Sequence, residues 1–566
     1  MNLIPMPKNI TLLGGAFPYS AVKSAKYEED KRIEKALLNL PQSENGAEIV
    51  FKKEEMDDEA YTLELSDKII ISAHSAKGVF YAIQTLRQLF CMPEIPKCKI
   101  SDKPDFAVRG FYQDLTRGKV AKLETLKKLA DKCAYFKINT IQLYVEHTFP
   151  FEEYKDVNEK FGYMTAEETR EFDDYCYENF IELVPSLATF GHLYELLNQP
   201  KYAPLRILKD YKPESHYWWE RQRHHTIDPR ENGSFEMIKS LLDQYMPLFR
   251  SDKFNICCDE TFDLDHCGLT PEESGKIYID FVCKIIDYVR SKGKTPMMWA
   301  DILLQHPKAT SRLPKDVQLL NWCYSSNPNE KTFKTIASMN RTQIACPGTS
   351  SWSSFCEMTD IANDNIVNMA YYAKKYNAAG ILNTNWGDIG NVCSIALAMH
   401  GLALGAEQSW TATKTMPSDF DSRLNALVYQ SENGSDFVNR IGKLCLKLRW
   451  LSFIQKYSDG IYGKSSLNPN LPDEDTIRTA AADAAVLKAE IESDGALKPA
   501  YKKEMMLAVE AQQILARFFA KLIGCTAPNA PDVKEWLSRY KEAWLSKNKP
   551  SELDEIERVF LYFNPK

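Results

Sequence analysis

No stretch of this 566-residue sequence approaches the ~20 consecutive apolar residues that a membrane-crossing helix needs, so a spanning helix is not expected. The fourteen cysteines contain no C-x-x-C pair. The opening Met1-Asn2-Leu3-Ile4-Pro5-Met6-Pro7 lacks a basic stretch leading into an apolar run. Both features point to reduced thiols in a cytoplasmic protein. Basic residues are scattered through helix-like segments and the net charge is −7, which leaves no electrostatic footprint for nucleic acid and makes a neutral ligand easier to reconcile. H-E-x-x-H, ligand clusters with metal spacing and glycine-rich phosphate loops are all missing, so neither metal nor cofactor is expected. Internal repeats and low-complexity segments are missing as well.

What is present is an ordinary globular composition, 44% hydrophobic and 26% charged. The first hundred residues hold an alternating strand-like stretch, Tyr61 to Ile71, and an amphipathic helix-like stretch, Gly78 to Phe90, ahead of Ser101-Asp102-Lys103-Pro104. This spacing predicts a small α/β domain over residues 1–104. From Phe106 short apolar runs alternate with helical patterns, the signature of βα units. Eight strand candidates follow: 107–112, 140–145, 181–185, 254–258, 296–299, 317–322, 342–346 and 380–383. Thr165 with Glu168 and Thr270 with Glu273 form capping boxes that open two of the intervening helices. Eight units in about 300 residues favour a closed (β/α)8 barrel over an open sheet, here over residues 105–430, with the active site at the strand C-termini. Beyond residue 430 strand signals vanish. Long helical patterns such as Thr476 to Ile491 and Tyr501 to Leu522 predict an α-helical C-terminal domain over residues 431–566.

Acids and tryptophans dominate the predicted strand ends: Glu146-His147 after the second, His192 after the third, Asp259-Glu260 at the fourth and Trp299-Ala300-Asp301 at the fifth. Trp322 and Tyr324 follow at the sixth, Trp352 after the seventh and Trp386-Gly387-Asp388 at the eighth. Carboxylates accept hydrogen bonds from vicinal hydroxyls while aromatic faces pack on the C–H face of a pyranose ring, so this combination suits a small oligosaccharide or glycoside. An adjacent Asp-Glu pair is common on solvated surfaces. After an apolar strand, however, such a pair demands either an ion-pair network or a polar pocket, because ionised carboxylates are rarely buried alone. His147 and His192 read equally well as satisfied core histidines, and the tryptophans as barrel filling.

In combination these segments resemble glycoside hydrolase family 20, the β-N-acetylhexosaminidases. Glu59-Ala60-Tyr61-Thr62-Leu63, Gly78-Val79-Phe80-Tyr81-Ala82 and Gln84-Thr85-Leu86 are similar to its non-catalytic N-terminal domain. Arg109-Gly110 with Asp114 and Arg117 resembles its opening barrel motif, Phe254 to Glu260 its catalytic stretch, and Ala406-Glu407-Gln408-Ser409-Trp410 its closing segment. The resemblance implies an exo-acting, retaining β-N-acetylhexosaminidase that works through the substrate's own acetamide. It assigns Glu260 as general acid/base and Asp259 as the residue that orients the acetamide. Arg109 would bind the sugar and Trp386 and Asp388 would hold the ring; Glu146 and His192, at their strand ends, are expected to bind substrate as well. Trp299, Trp322 and Trp352 would wall the N-acetyl pocket, with Tyr324 bonding the acetamide. The sequence departs from the family at Cys257-Cys258, where Gly-Gly is usual, at Asn255 in place of histidine, and at Asp388 in place of glutamate. Two other readings stay open: a retaining glycosidase using two distant carboxylates such as Glu260 and Asp388, and an inactive glycan-binding homologue.

Overall fold

The computed structural model describes residues 1–223, 225–306, 311–463 and 471–563. Its first body is a five-stranded sheet of β1 (Asn9–Ala16), β2 (Ile49–Lys53), β3 (Tyr61–Leu65), β4 (Ile69–Ala73) and β5 (Pro96–Asp102). The strands lie in the order β1-β5-β3-β4-β2. The period-2 pattern of β3 turns Tyr61, Leu63 and Leu65 inward. The helix Ala76–Leu89, capped by the Ser75 side chain, buries Val79, Phe80, Ile83 and Leu86.

Eight parallel strands then close into a barrel: β6 (Val108–Asp114), β7 (Thr140–Val145), β8 (Glu182–Leu187), β9 (Lys253–Asn255), β10 (Thr295–Trp299), β11 (Gln318–Trp322), β12 (Gln343–Cys346) and β13 (Gly380–Asn385). Each lies where the sequence predicts a strand, and both capping boxes form. The largest boundary shift is in β9, which ends at Asn255 and not at Cys258. Cys257 and Cys258 take φ of 57° and 64°, a left-handed turn that a pleated strand cannot absorb. The ladder to β10 persists only through single bonds, Ile256 N–H to the Met297 carbonyl and Trp299 N–H to the Cys257 carbonyl.

The remaining chain is helical, with Gly434–Lys447, Trp450–Tyr462, Glu474–Ser493, Pro499–Ile523, Val533–Lys547 and Leu553–Tyr562 packed around Trp450, Phe453, Phe518, Trp536 and Phe560. Among the described residues no helix is long and apolar enough to cross a membrane.

The N-terminal domain contacts the N-terminal end of the barrel strands, and this corrects one expectation. Arg109 does not bind sugar: it lies at the N-terminal end of β6, opposite the mouth, and is fully buried. Its guanidinium donates to Glu59 at 2.7 Å, to the Tyr81 hydroxyl at 2.8 Å and to the carbonyls of Phe106 and Lys137. Beside it, Lys137 donates to the Tyr61 hydroxyl and pairs with Asp102, which also accepts from Trp410 Nε1. Burial pushes the Lys137 ammonium down to about 8 against the pull of Asp102. Arg109 therefore joins two domains. Removing it strands Glu59 and the carbonyls of Phe106 and Lys137. Arg109→Met should cost about 3 kcal/mol or more in denaturant unfolding. Any folded fraction should keep the wild-type affinity for ligands at the mouth; a selective loss of that affinity would contradict this placement.

Candidate active site

At the opposite end of the barrel a cavity of about 170 Å³ is lined by Arg117, Gln222, Asp259, Glu260, Trp299, Trp322, Tyr324, Trp352, Trp386 and Asp388. Two adjacent residues of one strand normally face opposite ways. Here the left-handed backbone at Cys257, Cys258 and again at Glu260 (φ 47°) breaks the alternation, so both carboxylates reach the same space. Left-handed non-glycine residues cost of order 1–3 kcal/mol each and persist where surrounding contacts over-determine them. Those contacts are visible. Cys257 N–H donates to Asn255 Oδ1, and Cys257 Sγ lies 3.4 Å from Ser186 Oγ. Cys258 Sγ lies 3.4 Å from Thr189 Oγ1, and the Cys258 carbonyl accepts from the Tyr278 hydroxyl. The Glu260 N–H donates to Asp301 Oδ2 at 3.1 Å. Both thiols are buried, and burial raises their pKa, so they are inert packing groups and not nucleophiles.

Behind the acid pair stands His192, with Nε2 at 3.4 Å from Asp259 Oδ2 and 3.3 Å from Glu260 Oε2. Gly191 permits this approach, because a Cβ there would lie 2.5 Å from the Asp259 carbonyl oxygen. Burial alone would depress the imidazolium, but the two carboxylates outweigh it and hold its pKa up at about 10. The carboxylates thus favour the imidazolium at neutral pH, against the Arg117 guanidinium, whose Nη2 lies 3.3 Å from Nδ1. Glu146 completes the layer, at 3.9 Å from His192 Nδ1 and 3.5 Å from Arg117 Nε. Although burial opposes it, His147, Arg117 and His192 hold its carboxyl well below the ordinary range. Neither Glu146 nor His192 lines the cavity; both are buried, so each works on the pocket through other side chains. His192, Asp259 and Glu260 are also the one group of potential metal ligands close enough to chelate among the described residues, within 4.8 Å of one another, and a cation there would have to displace the imidazole proton.

Arg117 occupies the place that the sequence had suggested for Arg109. It follows β6 at the mouth, donates to Asp388 Oδ1 at 2.9 Å and lies over the Trp386 ring at 4.9 Å. Its signal was present, since Arg117 belongs to the same motif and only one of the two arginines lies past the strand's C-terminal end. Burial raises the Asp388 pKa to about 6, partly offset by Arg117. The aromatic wall is continuous. Trp386 Nε1 donates to the Tyr324 hydroxyl at 2.6 Å, Tyr324 stacks on Trp322 and touches Trp352, and Trp299 packs against Trp386 with Tyr112 behind both.

Two further residues escaped the sequence reading. Asp301, whose place at a strand end carries no role in the sequence, holds the Glu260 backbone; its pKa is raised by burial and then by Asp259. Gln222 comes from the long connection after β8, where no periodic pattern marks it.

Comparison with known proteins returns one consistent group. The description "Glycosyl hydrolase family 20, domain 2" matches residues 1–103, and "Glycosyl hydrolase family 20, catalytic domain" matches residues 106–424. A β-hexosaminidase of Porphyromonas gingivalis is 26% identical over 308 residues, covering 46% of this chain and 39% of that protein. The chain spans less than two thirds of the length of the curated relatives it first matches. Among solved structures, a GH20 exo-β-N-acetylglucosaminidase from Vibrio harveyi in complex with N-acetylglucosamine aligns at a TM-score of 0.60 and 20% identity, over 75% of this chain and 76% of that one. The chitobiase of Flavobacterium johnsoniae aligns over 99% of both chains at a TM-score of 0.60 and 17% identity, so the three-part architecture is shared in full.

The left-handed turn at the cysteines has a measurable signature. At an ordinary buried position glycine is worse than alanine, but at φ near +60° alanine keeps a penalty of about 1–2 kcal/mol that glycine escapes. Cys258→Gly should therefore be at least as stable as Cys258→Ala in urea unfolding, and Cys258→Val clearly worse than both. Alanine more stable than glycine would contradict the turn.

Proposed function

Because the chain belongs to glycosyl hydrolase family 20, on the match of its N-terminal and catalytic domains over residues 1–103 and 106–424, we propose that it is an exo-acting, retaining β-N-acetylhexosaminidase working by substrate assistance on a terminal N-acetylglucosamine or N-acetylgalactosamine. The carrying observation is Asp259. Its side chain is only 10% exposed, its Oδ2 faces His192, and its Oδ1 is buried with no hydrogen-bond partner among the described residues, beside Glu260 in an aromatic-walled cavity. A buried acceptor without a donor costs about 1–3 kcal/mol, which a bound amide N–H would recover.

In the first step the acetamide oxygen attacks the anomeric carbon as the glycosidic bond breaks, giving an oxazolinium ion. Glu260 delivers its proton to the departing oxygen. Asp259 holds the amide N–H, aims the carbonyl oxygen and offsets the positive charge spreading over the new ring, an effect that the enclosed setting strengthens. In the second step water adds to the anomeric carbon, Glu260 takes its proton, and the acetamide and the β-configuration are restored. Trp299, Trp322 and Trp352 enclose the N-acetyl end with Tyr324, while Arg117, Asp388 and Trp386 grip the ring. A two-carboxylate displacement by Glu260 and Asp388 is disfavoured, because Asp388 is tied to Arg117 and so suits a hydroxyl-binding role. All fourteen cysteines are free, which supports a reducing, cytoplasmic setting.

A thiazoline that mimics the oxazolinium should inhibit hydrolysis of an aryl β-N-acetylglucosaminide, and Asp259→Asn should lower kcat by about 10²-fold or more while leaving the fold intact. Potent hydrolysis of the matching glucoside without an acetamide, equally sensitive to Asp259→Asn, would contradict the mechanism. The pH profile adds a second check. The carboxylate form of Asp388 that pairs with Arg117 is complete only above about 6, so kcat/KM should fall as pH drops through that value, and Asp388→Asn should remove that limb. A wild-type profile flat down to pH 4 would refute the assignment.

A further inference from the structure

The C-terminal helices reach the catalytic mouth through two buried carboxylates, Glu552 and Glu555. Glu552, 3% exposed, stands at the start of the helix Leu553–Tyr562. It accepts from Trp218 Nε1, pairs with Arg221 at 2.6 Å, and its own N–H donates to the Gly118 carbonyl next to Arg117. Trp218 and Arg221 belong to the connection that follows β8. The same connection is held again by Glu555, which pairs with His216 at 3.0 Å, and by Ser458, which accepts the His216 N–H. Trp218 in turn packs against the loop that follows β13, a third loop of the mouth besides those after β6 and β8: a Cβ on Gly390 would meet its ring at 2.7 Å, two residues from Asp388. The helical domain also ties that third loop directly, through Trp450 Nε1 to the Ile389 carbonyl and the Tyr540 hydroxyl to the Val392 carbonyl.

One residue beyond Arg221 is Gln222, which lines the cavity with Glu260 and Asp388. Its Nε2 is buried and has no hydrogen-bond partner among the described residues. A donor on a cavity-lining side chain that the described residues leave unpaired is available to a ligand oxygen.

We propose that the C-terminal helical domain is a working part of the sugar site, in which Glu552 fixes residues 216–222 across the mouth so that Gln222 donates its side-chain amide to a hydroxyl of the bound sugar. Gln222 is a binding residue in this scheme and Glu552 a positioning residue. The inference rests on the function proposed above but can fail separately from it. Gln222→Ala removes only the donor and should raise KM for an aryl β-N-acetylglucosaminide about tenfold, the worth of one hydrogen bond, with kcat changed less than threefold. Glu552→Gln should raise KM at least as much. Trp218→Phe, which keeps the ring on Gly390 and deletes only the N–H to Glu552, should move KM in the same direction and serves if Glu552→Gln does not fold. If Glu552 acts through Gln222, the double variant Glu552→Gln/Gln222→Ala should show no higher KM than the worse single variant. Wild-type KM in Gln222→Ala, or a double-variant KM equal to the product of the two single effects, would overturn the proposal. Wild-type protein that cleaves none of these glycosides would instead overturn the proposed function. In that event amide hydrogen exchange over residues 217–223 still reads the clamp: faster exchange in Glu552→Gln supports it and unchanged exchange sinks it.

Discussion

Two carboxylates on consecutive residues repel, and in a cavity with little water that repulsion is poorly screened. His192 is wedged behind them, its Nε2 3.4 and 3.3 Å away, so that one imidazole faces both acids at once. Several otherwise odd features serve this arrangement. Gly191 lets His192 pass against the Asp259 backbone, and Glu146 faces the far nitrogen of the ring. The left-handed turn at Cys257 and Cys258 brings both acids to one side. Asp301 then holds the Glu260 backbone in a conformation that it would not choose alone.

The same economy of charge runs outward from the centre. Arg117 sits between Asp388 and Glu146 and under Trp386, so one guanidinium links the acid layer to the aromatic wall. Glu552 repeats the device one shell further out, where a buried carboxylate from the helical domain joins Arg221, Trp218 and the backbone beside Arg117. At the closed end Arg109 and Lys137 do equivalent work with Glu59 and Asp102, binding the N-terminal sheet to the barrel. Each pair is buried on at least one side, so breaking it leaves an unmatched charge, which is why these contacts fix geometry more than they add net stability.

Much of this was legible in the sequence. Apolar runs spaced by helical patterns located all eight barrel strands, and the Thr165 and Thr270 capping boxes formed as the spacing required, because local hydrogen bonding decides them. Asp259, Glu260 and the tryptophans fell at strand C-termini, where a barrel gathers its side chains. Position along a strand also separates the two arginines: Arg109 opens β6 and Arg117 follows it, so the same rule would have chosen correctly between them. Other features were hidden for physical reasons. The positive φ at Cys257 and Cys258 contradicts the local preference of cysteine and is imposed by tertiary contacts. Gln222 lies in a connection without periodicity, and its placement depends on Glu552, 330 residues later in the chain.

The central claim is that the paired acids act through the substrate's own acetamide. The most direct measurement is kcat/KM for a series of aryl β-glucosaminides whose N-acyl group carries zero, one, two or three fluorines, since each fluorine weakens the amide oxygen as a nucleophile without changing the leaving group. The account predicts a steep, monotonic fall along the series, flattened in Asp259→Asn. Rates independent of fluorination in the wild-type protein would contradict it.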